Sequence, residues 1–488
     1  MSTSLKPCTV VRRSVAAPRD VADLLRRLAR QGHPALLDSS GGPARLARWS
    51  LWAFDPFQVL SHDGRTCSVT DRRGCTRPAA DNPFTALREE LGRFALPPSE
   101  DDVPLRAGAI GFLSYELGRY VERLPRTVAE DIALPLMHWA FYDSVLAVDH
   151  HGGKATLWAT DHGGRDPQML LDRWQSLLAE SETQGQAAGP GQRDEPGDTM
   201  SLDRLACNFT PASYRAAVAR AIEYIAAGDI FQVNLSQRFT APLPCEPVEL
   251  YLRLRTANPA PFAAYLSGGD GQWAVLSSSP ERFLRVADRH VETRPIKGTR
   301  PRRLPGDAAI AAVDIEQANR HSRDELLASE KDAAELAMIV DLERNDLGRV
   351  CSYGSIHVTE PRTVEPYASV FHTVAQVEGR LHDRYDLVDL LKATFPGGSI
   401  TGAPKVRAME IIDELEPTAR SVYTGSVGYV GFDGRMDLNI AIRTLLADGP
   451  RVHVQVGGGI VADSTPEAEY DETLAKGRRM LEALGVKI

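Results

Sequence analysis

Several residues in this sequence have types and spacings that could do chemistry. Lys297 sits in Thr293-Arg-Pro-Ile-Lys-Gly-Thr299, between an isoleucine and a glycine. A lysine in an exposed turn is simply solvated. One withdrawn from water loses its proton more readily and becomes an amine nucleophile. Glu281, in Ser278-Ser-Pro-Glu-Arg282, could act as a general acid if burial raises its pKa. Glu469 and Glu472 are three residues apart in Pro466-Glu-Ala-Glu-Tyr-Asp-Glu472, on one face of an expected helix. Ahead of them Gly457, Gly458 and Gly459 follow the strand-like Val452-His-Val-Gln-Val456, as a turn whose amides could hold a carboxylate. Paired carboxylates would repel such an anion unless a hard cation intervened. Mg²⁺ suits that place, because it takes one or two carboxylates plus ligand oxygens. The helix dipole alone also favours acidic residues in a first turn. Glu335, four residues after Lys331, reads on its own as half of a solvated ion pair.

A further anion site is suggested by Pro396-Gly-Gly-Ser-Ile-Thr-Gly-Ala-Pro-Lys405, a glycine-rich loop running into a helix. It is not a nucleotide-binding loop, since Ala403-Pro404 stands where Lys-Ser/Thr would reach the phosphates.

The elements that must position these groups are partly legible. Thr210-Pro211 is an N-cap followed by proline, with Tyr214, Val218, Ala221, Ile222 and Ile225 at helical spacing and Gly228 as a stop. Ser322 with Glu325 is a capping-box pattern that predicts a helix to about Val340, carrying Glu335. Pro404 opens a third helix, with Val406, Met409 and Ile412 on one side. Residues 21–31 read as another. Strand signals cover Ala109–Leu113, Ser144–Val148, Trp273–Ser277, Ser426–Val430 and Val452–Val456. Residues 181–200 are polar and rich in Gly and Pro, which predicts a linker between an N-terminal region (1–180) and a second region (205–488), with the joint spanning 181–204.

Bulk properties narrow the function. The chain has 488 residues, 43% hydrophobic and 25% charged, which suits a globular protein larger than one ordinary core. Its net charge of −9 leaves no basic surplus for a nucleic-acid backbone. The six cysteines lack metal-site spacing, and their sparseness fits reduced thiols in a cytoplasmic protein. No apolar stretch is long enough to span a membrane.

Taken together, Phe231-Gln-Val-Asn-Leu-Ser-Gln-Arg238, Ser279-Pro-Glu-Arg282, Arg294-Pro-Ile-Lys-Gly-Thr299, Asp341-Leu-Glu-Arg-Asn-Asp346, Pro396–Lys405, Ala441-Ile-Arg-Thr444 and Gly457–Glu472 resemble the chorismate-utilising enzymes. The likeness is strong over about residues 205–485 and weaker before. It implies one large α/β (α+β) fold of two packed β-sheets, mixed or antiparallel, with helices outside and the active site between lobes. Within that family Lys297 resembles the aminodeoxychorismate synthase branch, whereas anthranilate synthases carry alanine there. Isochorismate and salicylate synthases place an activating lysine at the position of Gln232.

The resemblance implies roles residue by residue. Mg²⁺ would be held by Glu335, Glu469 and Glu472. Gly457, Gly458, Gly459, Arg443 and Tyr429 would take a second substrate carboxylate. Lys297 would attack C2 of chorismate while Glu281 protonates the departing 4-hydroxyl. His372, Ser399 and Thr299 match further active-site positions. A separate glutaminase subunit would supply ammonia. Leu37, Asp38 and Ser39 resemble the family's tryptophan pocket. Ala333 and Leu336 depart from the residues that relatives often carry there. The rivals are an anthranilate synthase and a non-catalytic ligand-binding relative.

Overall fold

In this computed structural model, residues 8–184, 200–304 and 312–487 are described. Two twelve-stranded sheets dominate. Their principal ladders are antiparallel, and each sheet is assembled from both halves of the chain. In the first, Ala35–Asp38 pairs with Phe262–Ser267, joining strands before residue 161 to strands after residue 205. In the second, Gly108–Leu113 pairs with Ser426–Gly431. The two regions read from the sequence are thus interleaved strand by strand. Of the expected linker, residues 181–184 finish the helix Pro167–Gln184, residues 185–199 lie outside the described part, and Met200–Ser201 pairs with Val486–Lys487.

The sheets face one another because alternate side chains of each strand point to opposite faces. Ala35, Leu51, Ala53, Val145 and Ala147 from the first sheet meet Ile110, Phe112, Ala140, Val427 and Tyr429 from the second in one buried layer. Leu36, Trp52, Leu146 and Leu157, on the other face of the first sheet, pack under the helices that carry Leu24, Trp174, Leu250 and Met480. The second sheet's outer face is covered likewise by Phe84, Leu336 and Val388. Two packed sheets with helices outside is the fold that the resemblance implied.

Two local expectations are corrected. The helix predicted from Ser322 is two helices, Ala312–Ala328 and Glu330–Gly348. Ser329 interrupts them with extended backbone, and its side chain accepts from Asp332 N. Ser329 and Asp332 are therefore the capping pair, while Ser322 lies inside the first helix. In the helix Lys405–Leu415, Met409 and Ile412 are buried with Ala408 and Ile411, but Val406 faces out. The helix Pro211–Ala226 forms as expected, with Thr210 capping and Gly228 in left-handed backbone just beyond.

Candidate active site

Lys297 lies on the edge strand Ile296–Pro301, paired with Val370–Arg380. The register slips between Lys297↔Thr373 and Thr299↔His372, with Gly298 at φ +75 as the extra residue. A Cβ at Gly298 would come within 2.8 Å of Thr373 Oγ1 and 2.9 Å of Asp332, so glycine alone fits this bulge. Thr373 Oγ1 donates to Lys297 O and pins the kink. The side chain is thereby aimed into a cavity of about 880 Å³. Burial lowers its pKa, reinforced by Lys476, against the pull of Glu335, Glu281 and Glu472. Among the described residues it has no ion-pair partner within 4 Å.

Glu281 lies in the same cavity, almost wholly buried. Burial raises its pKa to about 7, although Ser399 Oγ donates to its Oε1 at 2.6 Å and Lys297 is nearby. Lys297 and Glu281 are thus pushed in opposite directions, one toward free amine and the other toward carboxylic acid. His372 bonds through Nδ1 to Gly298 O at 3.3 Å, with Thr299 Oγ1 at 2.9 Å. A carbonyl only accepts, so the proton sits on Nδ1, and Nε2 is a buried acceptor without a partner among the described residues. Burial, with Arg443 next, lowers its pKa to about 3, so this imidazole is neutral.

Gly457, Gly458 and Gly459 are not a turn. They continue the strand Arg451–Ile460 and pair with Ser236, Leu235 and Asn234. Gly457 O accepts from Lys476 Nζ at 3.2 Å, away from the partner strand. N–H and C=O of one residue share a side in an antiparallel ladder, so the Gly457 and Gly459 amides face the cavity while Gly458 pairs. The glycines also leave room: a Cβ at Gly458 would meet Glu469 Oε2 at 3.1 Å and Glu472 Oε1 at 3.7 Å. One at Gly459 would meet Gln232 Nε2 at 2.7 Å and Lys297 Nζ at 3.6 Å.

Glu469 and Glu472 therefore converge. Ser464 Oγ donates to Glu469 Oε1 at 2.6 Å, and Glu469 Oε2 is buried without a partner among the described residues. Burial raises the Glu469 pKa, with Glu472 adding to it. Burial also pushes Glu472 up, but Lys476 at 2.6 Å outweighs it and the net shift is down. Glu335 faces the same cavity from the helix Glu330–Gly348, raised by burial and held back by Lys297 and Lys331. Among the described residues no three carboxylates, histidines or cysteines form a ready metal cage. The all-oxygen donor set and the orphaned Glu469 oxygen still fit a hard cation.

Arg443, in left-handed backbone at φ +51, lines the cavity with no carboxylate within 4 Å among the described residues. Its guanidinium reaches Asn258 Oδ1 at 3.5 Å. A guanidinium so placed is a receptor for a ligand carboxylate. The cavity lining carries ten lysines and arginines against five carboxylates, in a protein of net charge −9, which favours an anionic ligand.

The structure does not bring every expected residue here. Tyr429 belongs to the strand Ser426–Gly431 and lines a different cavity, of about 520 Å³; Tyr423 lines the cavity with Arg443 instead. Leu37, Asp38 and Ser39 line that second cavity, but the Asp38 carboxylate is occupied by Arg255 at 2.6 Å and by Ser50 and Tyr251. One residue was missed. Lys476 was detectable four positions after Glu472. Gln232, which the sequence marks only as the place where other branches carry a lysine, is fully buried beside Lys297, with both amide atoms unpartnered among the described residues.

The family description of chorismate binding enzymes matches residues 34–482. The chain belongs to the chorismate-binding enzyme family. Among its relatives, aminodeoxychorismate synthase component 1 of Salmonella typhimurium is 41% identical, covering 90% of each chain. Anthranilate synthase component 1 of Thermus thermophilus is also 41% identical, over 94% of each. Of solved structures, anthranilate synthase component I from Streptococcus pneumoniae aligns with a TM-score of 0.74 at 31% identity, covering 89% of this chain and 92% of that one. The menaquinone-specific isochorismate synthase from Escherichia coli shares the fold, with a TM-score of 0.68 at 18% identity over 98% and 95% of the two chains. Two branches of the chorismate-binding family thus match equally well, and overall identity does not divide them. The side chains in the cavity must.

Proposed function

We propose that this chain aminates chorismate, converting it with ammonia to 4-amino-4-deoxychorismate through a covalent adduct on Lys297. The observation that carries this reading is the cavity's pairing of a lysine pushed toward its neutral form with a glutamate whose pKa is raised to about 7. That pair supplies a nucleophile and an acid without external base.

The steps follow from the residues. The Lys297 amine forms a bond to ring C2; the ring double bonds shift; the C4–O bond breaks. Glu281 gives its proton to the departing oxygen, which leaves as water. Ammonia then bonds to C4, the double bonds shift back, and the C2–N bond breaks to return Lys297. Glu281, now a carboxylate, takes up the proton released from the new amine. Two easier displacements replace one difficult one. Arg443 and the Gly457 and Gly459 amides bind one substrate carboxylate, with His372 and Thr299 lining the same wall. Mg²⁺, held by Glu469 and Glu472 with Glu335 alongside, would neutralise the other carboxylate. Gln232 cannot accept a proton from water, which fits amination and not hydroxylation.

Ammonia comes, in this reading, from glutamine through a partner glutaminase subunit in the cytoplasm. The cavity at Leu37–Ser39, with Arg285 and Tyr429 in its wall, is proposed to take an aromatic amino acid. The competing reading, an anthranilate synthase, would not use the Lys297 amine. One assay tests the proposal: the pure chain with chorismate, Mg²⁺ and an ammonium salt. Aminodeoxychorismate without pyruvate is expected; anthranilate with pyruvate, or unchanged chorismate, would overturn it.

A further inference from the structure

A third cavity, of about 980 Å³, opens on the other side of the wall that backs the active cavity. Among the described residues, seven carboxylates and a single arginine, Arg72, line it. Arginines engage three of them, Asp55, Glu130 and Asp131. Asp63, Asp71, Asp270 and Glu116 have no lysine or arginine within 4 Å among the described residues. The first three are exposed at the mouth. Glu116 lies at the bottom, 5% exposed, and its Oε2 is buried without a hydrogen-bond partner among the described residues.

The two cavities share one stretch of chain. Ala419 and Ser421 line the acidic basin, whereas Arg420 between them lines the active cavity. Glu116 Oε1 accepts from Arg420 N at 2.7 Å. On the far side the Arg420 guanidinium donates to Asn234 O at 2.8 Å and Ile400 O at 3.1 Å, and Ile400 adjoins Ser399, the partner of Glu281. Glu116 and Arg420 therefore connect the bottom of the basin to the place where the 4-hydroxyl is proposed to leave.

We propose that this basin is the inlet for nitrogen: ammonium collects there, gives a proton to Glu116 and crosses as ammonia alongside Arg420. The inference rests on the amination reading. Only ammonia has a lone pair to attack carbon, and among the described residues nine lysines and arginines besides Lys297 outnumber the five carboxylates of the active cavity, which disfavours a free ammonium ion there. The conversion therefore belongs at the boundary. One N–H bond of ammonium breaks, its electron pair stays on nitrogen, and the proton forms an O–H bond on Glu116 Oε2. Water in the basin then removes that proton and restores the carboxylate.

The test uses the whole chain with chorismate, Mg²⁺ and ammonium chloride. A triple variant, Asp63→Asn, Asp71→Asn and Asp270→Asn, keeps the turn-capping oxygens while removing the mouth's charge. It should raise the KM for ammonium about threefold at low salt, with the difference fading at high salt. Glu116→Gln should lower kcat/KM for ammonium about tenfold or more. In both, the KM for chorismate and the yield of Lys297 adduct formed without ammonium should match the wild type. Unchanged ammonium kinetics in the triple variant and in Glu116→Gln would overturn the inlet. So would equal losses toward ammonium and chorismate. If Glu116→Gln fails to fold, the triple variant decides alone. A wild-type chain that makes no aminated product from ammonium would instead sink the amination reading.

Discussion

Ser399→Ala tests the electrostatics of the site without touching the nucleophile. Ser399 Oγ donates to Glu281 Oε1 at 2.6 Å, a short bond that favours the ionised carboxylate. Burial sets the larger opposing effect, and the balance is a pKa of about 7. A hydrogen bond to a charged group contributes about 1.5–3 kcal/mol. Converted at about 1.4 kcal/mol per pKa unit, its loss should raise the Glu281 pKa by roughly one to two units. Glu281 must be protonated to expel water, so activity falls as pH rises through its pKa. The alkaline limb of kcat/KM for chorismate, centred near 7 in the wild type, should move to about 8–9 in Ser399→Ala. The limb set by Lys297, whose pKa burial lowers, should stay in place. The assay is a pH series of initial rates with saturating ammonia and Mg²⁺. An alkaline limb that stays put, or moves to lower pH, would refute the reasoning.

Four further outcomes are expected. Gly459→Ala places a methyl 2.7 Å from Gln232 Nε2 and 3.6 Å from Lys297 Nζ; overpacking of this kind costs about 1–3 kcal/mol, so kcat/KM should fall about tenfold or more. Wild-type kinetics would show that the strand is not packed against the amine. Ser464→Ala removes the donor to Glu469 Oε1 and should weaken Mg²⁺ dependence about 10–100-fold, read by titrating Mg²⁺ into chelator-treated protein. Folding stability should fall as pH rises from about 5 to 8, because the folded-state pKa of Glu281 is raised from 4.5 to about 7. Such a group stabilises fully below its unfolded pKa and loses that contribution through its folded one. Glu281→Gln should flatten the slope of Tm against pH, and an unchanged slope would count against the burial argument. Lys297→Ala should abolish normal amination, and any product it still makes should be anthranilate with pyruvate.

What was legible in the sequence is what depends on short-range chemistry. The Thr210-Pro211 cap, the acidic pair Glu469/Glu472 and the Ile-Lys-Gly context of Lys297 could be read because spacing alone decides which face or turn they occupy. Gly457–Gly459 looked like a turn because three glycines lower strand propensity. In the fold they pair with Asn234–Ser236, more than two hundred residues away in sequence, and the lack of side chains is what opens the site. The placing of Tyr429 has a similar origin: it and Tyr423, six residues apart, line different cavities, and only the position in the fold decides which. The burial of Gln232 and of Glu116 was hidden for the same reason. A buried amide or carboxyl without a partner is a property of the packing around it, not of its neighbours in sequence. The interleaving of N-terminal strands with later ones was also hidden, since a polar linker marks a break in the chain and says nothing of the sheets on either side.

The account stands on a bond between Lys297 and the ring of chorismate. Mixing the wild-type chain with chorismate and Mg²⁺ in the absence of ammonia, quenching, and taking the intact and peptide masses tests it directly. The expected result is a gain equal to chorismate less water, carried by the peptide containing Lys297 and lost when ammonia is added before the quench. A chain that aminates chorismate at full rate while no adduct accumulates on Lys297, and that keeps that rate as Lys297→Ala, would contradict it.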